Sequence, residues 1–136
     1  MKIPVFIDSN VWIYAITADT EEKNLKAKKL LKNCFLEYTT VISYQVLNEV
    51  SLHLKRSGFT EERIRNIILA MEKSCAVVDF TLDLLLRASE LREKHQFSFW
   101  DSLIIACSIE AGCKILYSED MQDGRKVECV TIQNPL

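Results

Sequence analysis

Short apolar runs alternate with longer segments of helical periodicity along almost the whole chain, and this alternation restricts the fold more than any other feature. The first apolar run ends at Ile7, and a helical segment from Val11 to Ile16 follows it. Strands that alternate with helices are typical of a parallel sheet with helical crossovers. Only three glycines and two prolines occur, which leaves little room for long linkers. We therefore predict an α/β fold, a three-layer α/β/α sandwich with a central parallel sheet, formed by residues 1–136 as a single domain.

The strands and helices can be placed from their apolar patterns and from the residues that begin and end helices. A Ser or Thr precedes each of five helical segments and can cap it; these residues are Thr20, Ser43, Thr60, Thr81 and Ser98. The same segments are expected to end near Cys34, Arg56, Ser74, His95 and Gly112. The predicted strands comprise residues 5–7, 37–43, 75–80, 114–118 and 127–132. A turn-rich loop, residues 119–126, separates the last two strands.

The composition restricts the classes of protein to which the chain can belong. A net charge of −2 is unlike that of proteins that bind nucleic acid through charge alone, so such binding would need a local basic patch, a bound cation or a basic partner. The five cysteines form no CxxC pair, and Cys107 and Cys113 lie in apolar surroundings, which predicts buried thiols in a reducing compartment. No apolar run has membrane-spanning length and no signal-peptide pattern occurs, so we expect a cytoplasmic protein without membrane contact.

Four acidic residues from distant parts of the sequence are predicted to lie near one edge of the sheet. Asp8 follows the first strand, and Asp120 lies just after the strand of residues 114–118. Asp101 lies in the first turn of the last helix. Glu49 lies about 9 Å along the third helix, so it joins the others only if that helix leans over the edge. Ligands of parallel α/β sheets bind at the carboxyl ends of strands, where these acids could share a pocket.

Clustered carboxylates repel one another unless a cation neutralises them. Mg²⁺ and Mn²⁺ prefer oxygen ligands, and Mg²⁺ typically takes one or two carboxylates and keeps several waters. Such an ion can activate water and stabilise the charge that develops during phosphodiester hydrolysis. It would also allow an acidic pocket to accept an anionic backbone. The residues therefore favour a hypothesis of metal-dependent phosphodiester hydrolysis.

Each of these acids also has a purely structural interpretation. Asp8 fits an Asx turn at a strand end, and Glu49 could be a solvated flank of an apolar stripe. The stretch "SFWD" has the capping-box pattern, so Asp101 could serve only as a helix cap. Asp120 and Asp123 lie in a hydrophilic loop that contains the turn signal "DG". The combination of four positions in one α/β chain, rather than any single residue, favours the shared pocket.

This combination resembles the PIN-domain ribonucleases, in particular toxins of the VapC type, over nearly the whole chain. The resemblance rests on "FIDSN", "SYQVLNEV" and "FSFWDSLIIACSIEAGCKILYSEDMQDG", in that order. It implies a three-layer α/β/α fold, a Mg²⁺ or Mn²⁺ site and endoribonuclease activity. It also implies an RNA substrate, such as tRNA or another structured RNA, a homodimer, and neutralisation by a cognate antitoxin.

The resemblance also implies roles for individual residues. The four catalytic acids would be Asp8, Glu49, Asp101 and Asp120, with Asp8 and Asp101 as the metal ligands. Asn10 and Ser118 match positions that shape the pocket by hydrogen bonding. Relatives often carry a different pattern in the last loop, which leaves open whether Asp123 is a further acid. Glu119 is expected to point away, because it alternates with its neighbours.

Aromatic and basic residues could add contacts to RNA. Trp12 and Trp100 are close in sequence to the proposed ligands, but both lie in apolar runs. We expect both to pack in the core rather than to stack on bases. The candidates for phosphate contacts at the rim of the pocket are Lys55, Arg56 and Arg125.

Two other classes of function remain open from the sequence. The first is a non-catalytic PIN-like module that binds RNA or a protein. The second is another protein with an aspartate at a strand end. A phosphatase of the haloacid dehalogenase type would need an acid where Asn10 stands, and a phosphoacceptor receiver domain would need paired acids after the first strand, which are missing.

Overall fold

The structure is a computed structural model that describes residues 2–136. Six strands and six helices follow one another in the order β1 (Pro4–Ile7), α1 (Ser9–Thr17), α2 (Glu21–Glu37), β2 (Thr39–Ser43), α3 (Tyr44–Arg56), α4 (Glu61–Ser74), β3 (Ala76–Val78), α5 (Leu82–Lys94), α6 (Phe99–Glu110), β4 (Ile115–Tyr117), β5 (Lys126–Val127) and β6 (Val130–Gln133). The predicted alternation of strands and helices is confirmed. Helix α2 continues to Glu37 rather than ending near Cys34, so β2 is shorter than predicted.

The six strands form one sheet in the order β3–β2–β1–β4–β6–β5. Every neighbouring pair is parallel except β5 and β6. Strand β1 is central, and its Phe6 pairs with Val41 of β2 and Leu116 of β4. Successive side chains of a strand point to opposite faces, and Val5, Phe6 and Ile7 are all fully buried, so helices must cover both faces of the sheet. The predicted α/β fold with a central parallel sheet is confirmed.

The last predicted strand is wrong in its extent, because the structure divides residues 127–132 into two strands. Glu128 has a φ of 54°, in the left-handed region, and the chain reverses there. Val127 of β5 then pairs with Val130 of β6 in an antiparallel hairpin at the edge of the sheet. The apolar residues on both sides of the turn are the reason why the sequence predicts one continuous strand over residues 127–132.

Helix capping follows the sequence closely. A side-chain oxygen accepts a hydrogen bond from a backbone N–H three residues later at four of the five predicted caps, which are Ser43, Thr60, Thr81 and Ser98. Thr20 makes no such bond at the start of α2. Helix α1 has its own cap, because the side chain of Asp8 accepts a hydrogen bond from the backbone N–H of Ser9. These caps fix the residue at which each of these helices begins.

The carboxyl ends of β1 and β4 lie side by side at the point from which the strand order runs outward in both directions. Such a topological switch point is where open α/β sheets bind ligands.

The predicted burial of Cys107 and Cys113 is confirmed, and all five cysteines are free thiols. Of the helices in residues 2–136, none has both the length and the apolar character that crossing a membrane requires.

Candidate active site

Asp8 is the centre of the polar groups at the switch point. It immediately follows β1 and begins α1, so one local sequence serves as both strand end and helix cap. Its Oδ1 accepts a hydrogen bond from the backbone N–H of Ser9 at 2.8 Å, and its Oδ2 accepts one from Ser118 Oγ at 2.9 Å. The residue is only 5% exposed. The carboxylate is therefore fixed in direction and largely shielded from water.

Asn10 and Ser118 connect the end of β1 to the end of β4. The amide nitrogen of Asn10 donates to Ser118 Oγ at 3.3 Å and to Asp120 Oδ2 at 3.1 Å. Its carbonyl oxygen accepts from the backbone N–H of Glu119 at 3.1 Å. Ser118 is fully buried and also accepts from the backbone N–H of Asp120 at 3.3 Å. These bonds hold the carboxylate of Asp120 beside that of Asp8.

Glu49 reaches the same place because α3 leans over the start of α1. Its Oε2 accepts a hydrogen bond from the hydroxyl of Ser9, and its Oε1 accepts one from Gln45 Nε2 at 2.8 Å. The contact with Ser9 joins residues 40 positions apart in the sequence. Helix α3 therefore leans over the edge of the sheet, as Glu49 requires in order to lie near the other acids.

Asp101 takes part in the cap of α6, and its carboxylate also lies near the other acids. Its backbone N–H donates to Ser98 Oγ at 3.1 Å, as the capping interpretation required. Its half-buried carboxylate also lies close enough to Asp120 and Glu49 for their charges to raise its pKa. The two interpretations of this residue are thus compatible.

Asp8 and Asp101 each lie close enough to Glu49 and Asp120 for the charges of these two acids to raise their pKa values. Burial is the largest cause that raises the pKa of Asp8, to about 7, and the charges of Glu49 and Asp120 add to it. The hydrogen bonds from Ser9 and Ser118 act in the opposite direction. Burial is also the largest cause that raises the pKa of Asp101. A hydrogen bond between the Ser98 side chain and this carboxylate acts in the opposite direction. Within residues 2–136 no Lys, Arg or His forms an ion pair with any of the four.

The donor set fits a hydrated divalent ion better than a closed metal cage. No three His, Cys, Asp or Glu side chains in the described part of the chain converge closely enough to enclose a metal. Mg²⁺ needs only one or two protein carboxylates, and waters complete its coordination. Hard carboxylate oxygens without a neighbouring cation suit Mg²⁺ or Mn²⁺. Asp8 and Asp101 could hold such an ion, with Glu49 and Asp120 beside it.

Two acids of the last loop lie apart from this group. The carboxylate of Asp123 is exposed and accepts a hydrogen bond from the backbone N–H of Asn134 at 2.8 Å. It does not contribute to the pKa of Asp8 or of Asp101. Glu119 turns toward Lys23, with 2.5 Å between Nζ and Oε2, and accepts a hydrogen bond from the hydroxyl of Tyr14. The structure thus gives Asp123 and Glu119 structural contacts of their own.

Two of the three basic residues proposed for the rim, Lys55 and Arg125, have contacts elsewhere. Lys55 forms an exposed ion pair with Glu61, with 3.8 Å between Nζ and Oε1. The guanidinium of Arg125 lies over the ring of Phe97, 4.3 Å from its centroid. Neither contact involves one of the four acids, so the structure gives no separate support for phosphate binding by these side chains.

The two tryptophans have different environments. Trp12 is 4% exposed and its Nε1 donates to the backbone carbonyl of Ile7, so its predicted core position is confirmed. The same prediction for Trp100 is wrong, because this side chain is 61% exposed. The buried part of α6 begins at Ser102, and the first turn of the helix extends beyond the core. An apolar run in the sequence does not show where a helix leaves the core.

Two residues of the site were not assigned a role from the sequence. Ser9 and Gln45 both donate hydrogen bonds to Glu49 and hold its carboxylate in place. Gln45 stands four positions before Glu49, which puts the two side chains on one helix face, and this spacing was an available signal. The role of Ser9 depends on the packing of α3 against α1, which the sequence does not display.

The fold and this group of acids define an α/β protein with an acidic pocket at the switch point of its sheet. The family model of the PIN domain matches residues 5–123. The chain therefore belongs to the PIN-domain family, and the resemblance to this family is confirmed. Comparison with curated protein sequences gives no match.

Solved structures of toxin–antitoxin proteins have a similar fold. A toxin–antitoxin complex from Klebsiella pneumoniae has a TM-score of 0.72 and 19% sequence identity, over 97% of this chain and 98% of that one. VapBC2 from Rickettsia felis, bound to a promoter DNA fragment, has a TM-score of 0.73 and 18% identity over 97% and 98%. VapC20 from Mycobacterium tuberculosis, a toxin that cleaves the sarcin–ricin loop, has a TM-score of 0.66 and 22% identity over 85% and 91%. At these identities the comparison establishes the common fold.

Proposed function

We propose that this chain is a Mg²⁺- or Mn²⁺-dependent endoribonuclease and the toxin of a type II toxin–antitoxin pair. In this proposal residues 1–136 form a single PIN domain that acts in the cytoplasm as a homodimer. Its partners are an RNA substrate and a cognate antitoxin. The PIN family membership supports a nuclease, and the fold shared with VapBC proteins and with an RNA-cleaving toxin supports the toxin–antitoxin assignment.

One observation carries the proposal: four carboxylates from separate elements lie around one end of the sheet, and no basic side chain in residues 2–136 neutralises them by an ion pair. Such a pocket repels an RNA phosphate unless a cation lies between them. An acidic pocket that serves a nucleic acid therefore implies a bound divalent ion.

Each side chain of the site has a separate role in this mechanism. Asp8 and Asp101 would hold the ion, which when bound would supply water activation and charge neutralisation at the scissile phosphate. Glu49 is fixed by Ser9 and Gln45, so its carboxylate can accept the proton of the attacking water at a defined position. Asn10 and Ser118 keep Asp8 and Asp120 in place. Preorganisation by these hydrogen bonds limits the rearrangement that catalysis requires.

Removal of divalent ions is expected to abolish RNA cleavage. In EDTA the acidic pocket loses its counter-charge, so both phosphate binding and water activation fail. Addition of Mg²⁺ or Mn²⁺ to the dialysed protein should restore the activity. The measurement is cleavage of end-labelled structured RNAs on denaturing gels, with a matched Asp8→Asn preparation to reveal contaminating nucleases.

Two results would contradict the proposal. Equal cleavage in EDTA and in Mg²⁺ would exclude a metal-dependent site. RNA binding without cleavage, over several RNAs and both ions, would favour the alternative of a non-catalytic PIN-like module that binds RNA or protein.

Induced expression of the protein is expected to stop bacterial growth if it acts as a toxin. The reason is that cleavage of an essential RNA blocks translation, and the Asp8→Asn variant should therefore permit normal growth. Growth curves after induction, with mapping of the cleaved RNA ends, provide the measurement. Arrest by both proteins to the same degree would separate the growth effect from the acidic pocket.

A further inference from the structure

An apolar groove lies beside the acidic pocket and shares a wall with it. The groove has a volume of about 370 Å³, and its lining residues are Gln45, Asn48, Glu49, Leu52, Phe80 and Trp100. We refer to these six residues as the aromatic groove. Glu49 belongs to both the groove and the group of four acids, and Trp100 directly precedes Asp101 in α6. A ligand in the aromatic groove would therefore lie next to the proposed reaction centre.

Trp100 is exposed, but its position is defined by its neighbours. Gln45 Nε2 donates to Glu49 Oε1 at 2.8 Å and to the backbone carbonyl of Trp100 at 3.5 Å, so one amide connects the acid to the tryptophan. The ring of Phe99 stands edge-on to the Trp100 ring with the centroids 5.1 Å apart. The guanidinium of Arg92 lies over Phe99, 4.7 Å from its centroid. The backbone of Trp100 is thus anchored and its ring packs on Phe99, while 61% of the residue stays open to solvent.

The groove also contains surface that nothing in residues 2–136 covers. Leu52 is 49% exposed and Phe80 is 41% exposed, and both line the groove together with the partly buried Glu49. The side-chain oxygen of Gln45 is buried and accepts no hydrogen bond from the described residues, although Gln45 itself is only 6% exposed. Because Gln45 lines the groove, this oxygen is an acceptor that an N–H donor of a ligand there could satisfy. Nucleobases carry such N–H donors at their edges.

We propose that the aromatic groove is a subsite for one base of single-stranded RNA, in which Trp100 stacks on the base next to the scissile phosphate. This inference rests on the proposed ribonuclease function and specifies how its substrate is bound. Proteins that bind single strands use aromatic side chains in this way, and the contact tolerates any sequence because every base has a π-face. The groove has no basic lining residue, so the sugar–phosphate backbone would pass over the four acids and their cation instead.

The lining of the groove favours a base over an amphipathic helix of a protein partner. Recognition of a helix uses apolar anchors spread over two turns or more, which is about 11 Å of helix length. Of the six lining residues only Leu52, Phe80 and Trp100 are apolar. A planar base needs only one aromatic face and a few hydrogen-bonding groups at its edge.

Fluorescence can test the subsite directly, because the chain has only two tryptophans and Trp12 is 4% exposed. Quenching by a ten-nucleotide single-stranded RNA therefore reports on Trp100. The titration uses Ca²⁺ in place of Mg²⁺, since Ca²⁺ accepts looser coordination, and a gel confirms that the RNA stays intact. We expect saturable quenching by RNA of mixed sequence.

Variants then separate stacking from simple apolar contact. Trp100→Leu keeps apolar bulk without a π-face and is expected to weaken RNA binding about tenfold or more, measured by anisotropy of labelled RNA. Trp100→Phe keeps a ring and should stay within about threefold of wild type. Leu25→Ala is the surface control, because Leu25 is equally exposed, at 61%, on α2. Circular dichroism melts verify that each variant folds.

The outcomes distinguish the subsite from the ribonuclease function. If Trp100→Leu binds RNA with wild-type affinity and cleaves it normally, the subsite proposal is wrong and the proposed ribonuclease function is unaffected. Saturable quenching without cleavage in Mg²⁺ or Mn²⁺ supports the subsite and overturns the nuclease. Absence of quenching by RNA overturns the subsite. So does a Trp100 emission that changes only with protein concentration, because a second copy of the chain then covers the groove.

Discussion

Asp101→Asn is expected to lower the rate of RNA cleavage at saturating Mg²⁺ by about a hundredfold to ten-thousandfold. The change removes one carboxylate from the pair proposed to hold the ion. It keeps the bond in which Ser98 accepts from the backbone N–H of residue 101 at the start of α6, and it alters only the contact between Ser98 and the side chain. Removing one negative charge also reduces the repulsion of phosphate, so kcat should fall while the affinity for RNA is kept or rises. Initial rates at varied RNA concentration separate these two effects.

Asp83→Asn is the matched control for this prediction. Asp83 lies in the first turn of α5, as Asp101 lies in the first turn of α6, but it is exposed and outside the group of four acids. Its variant should cleave RNA at a rate within about twofold of wild type. A parallel Asp123→Asn variant decides the open role of that residue, because a loss as large as that of Asp101→Asn would add it to the catalytic acids. Wild-type cleavage by Asp101→Asn would remove Asp101 from the site.

The parts of the site that could be predicted from sequence are those that depend on local chemistry. An apolar run followed by Asp8, Ser9 and Asn10 contains both a strand end and a helix start within a few residues. The parallel sheet then brings the ends of β1 and β4 together whatever the details of packing. The proximity of Asp8 and Asp120 therefore follows from the pairing of β1 with β4, which the alternation of strands and helices allows but does not specify.

The parts that failed or stayed conditional depend on how elements pack over long distances. The contact between Ser9 and Glu49 requires a particular inclination of α3, which no short stretch of sequence encodes. The exposure of Trp100 depends on how far α6 extends beyond the core, and "FW" is equally apolar in either case. The turn at Glu128 needs a positive φ at a residue that rarely signals one. In each case tertiary geometry overrides an acceptable local pattern.

The metal-free protein is expected to lose stability as the pH rises from 4 to 8, and Asp8 is the main cause at the site. Its pKa is about 7 in the folded chain against an ordinary value of 3.8, chiefly because the carboxyl group is buried. The folded state therefore binds this proton more tightly than the unfolded state. The contribution of Asp8 to folding is neutral below the ordinary pKa, becomes unfavourable between the two values and reaches its full cost above the folded pKa. Three pKa units correspond to on the order of 4 kcal/mol.

Asp8→Asn should remove most of this pH dependence, because the amide is neutral throughout the range. The amide has one acceptor oxygen where the carboxylate uses two, for Ser9 and Ser118, so the variant also loses a hydrogen bond of about 1 kcal/mol. The net gain is then about 3 kcal/mol at pH 8, or about 10 °C in Tm. At pH 5 most of Asp8 is still protonated when the protein is folded, and the gain should be below about 1 kcal/mol.

Thermal melts in EDTA at pH 5 and pH 8 measure this difference between the two proteins, with Asp83→Asn as the control for loss of a surface carboxylate. Mg²⁺ supplies a second, independent readout. An ion that binds only the folded state raises Tm by mass action, so Mg²⁺ should stabilise the wild type at pH 8 and have a much smaller effect on Asp8→Asn. An equal change in Tm at both pH values would show that Asp8 is ionised at no cost. The acidic pocket would then need no cation to be stable, and the main physical reason for placing a metal ion there would be lost.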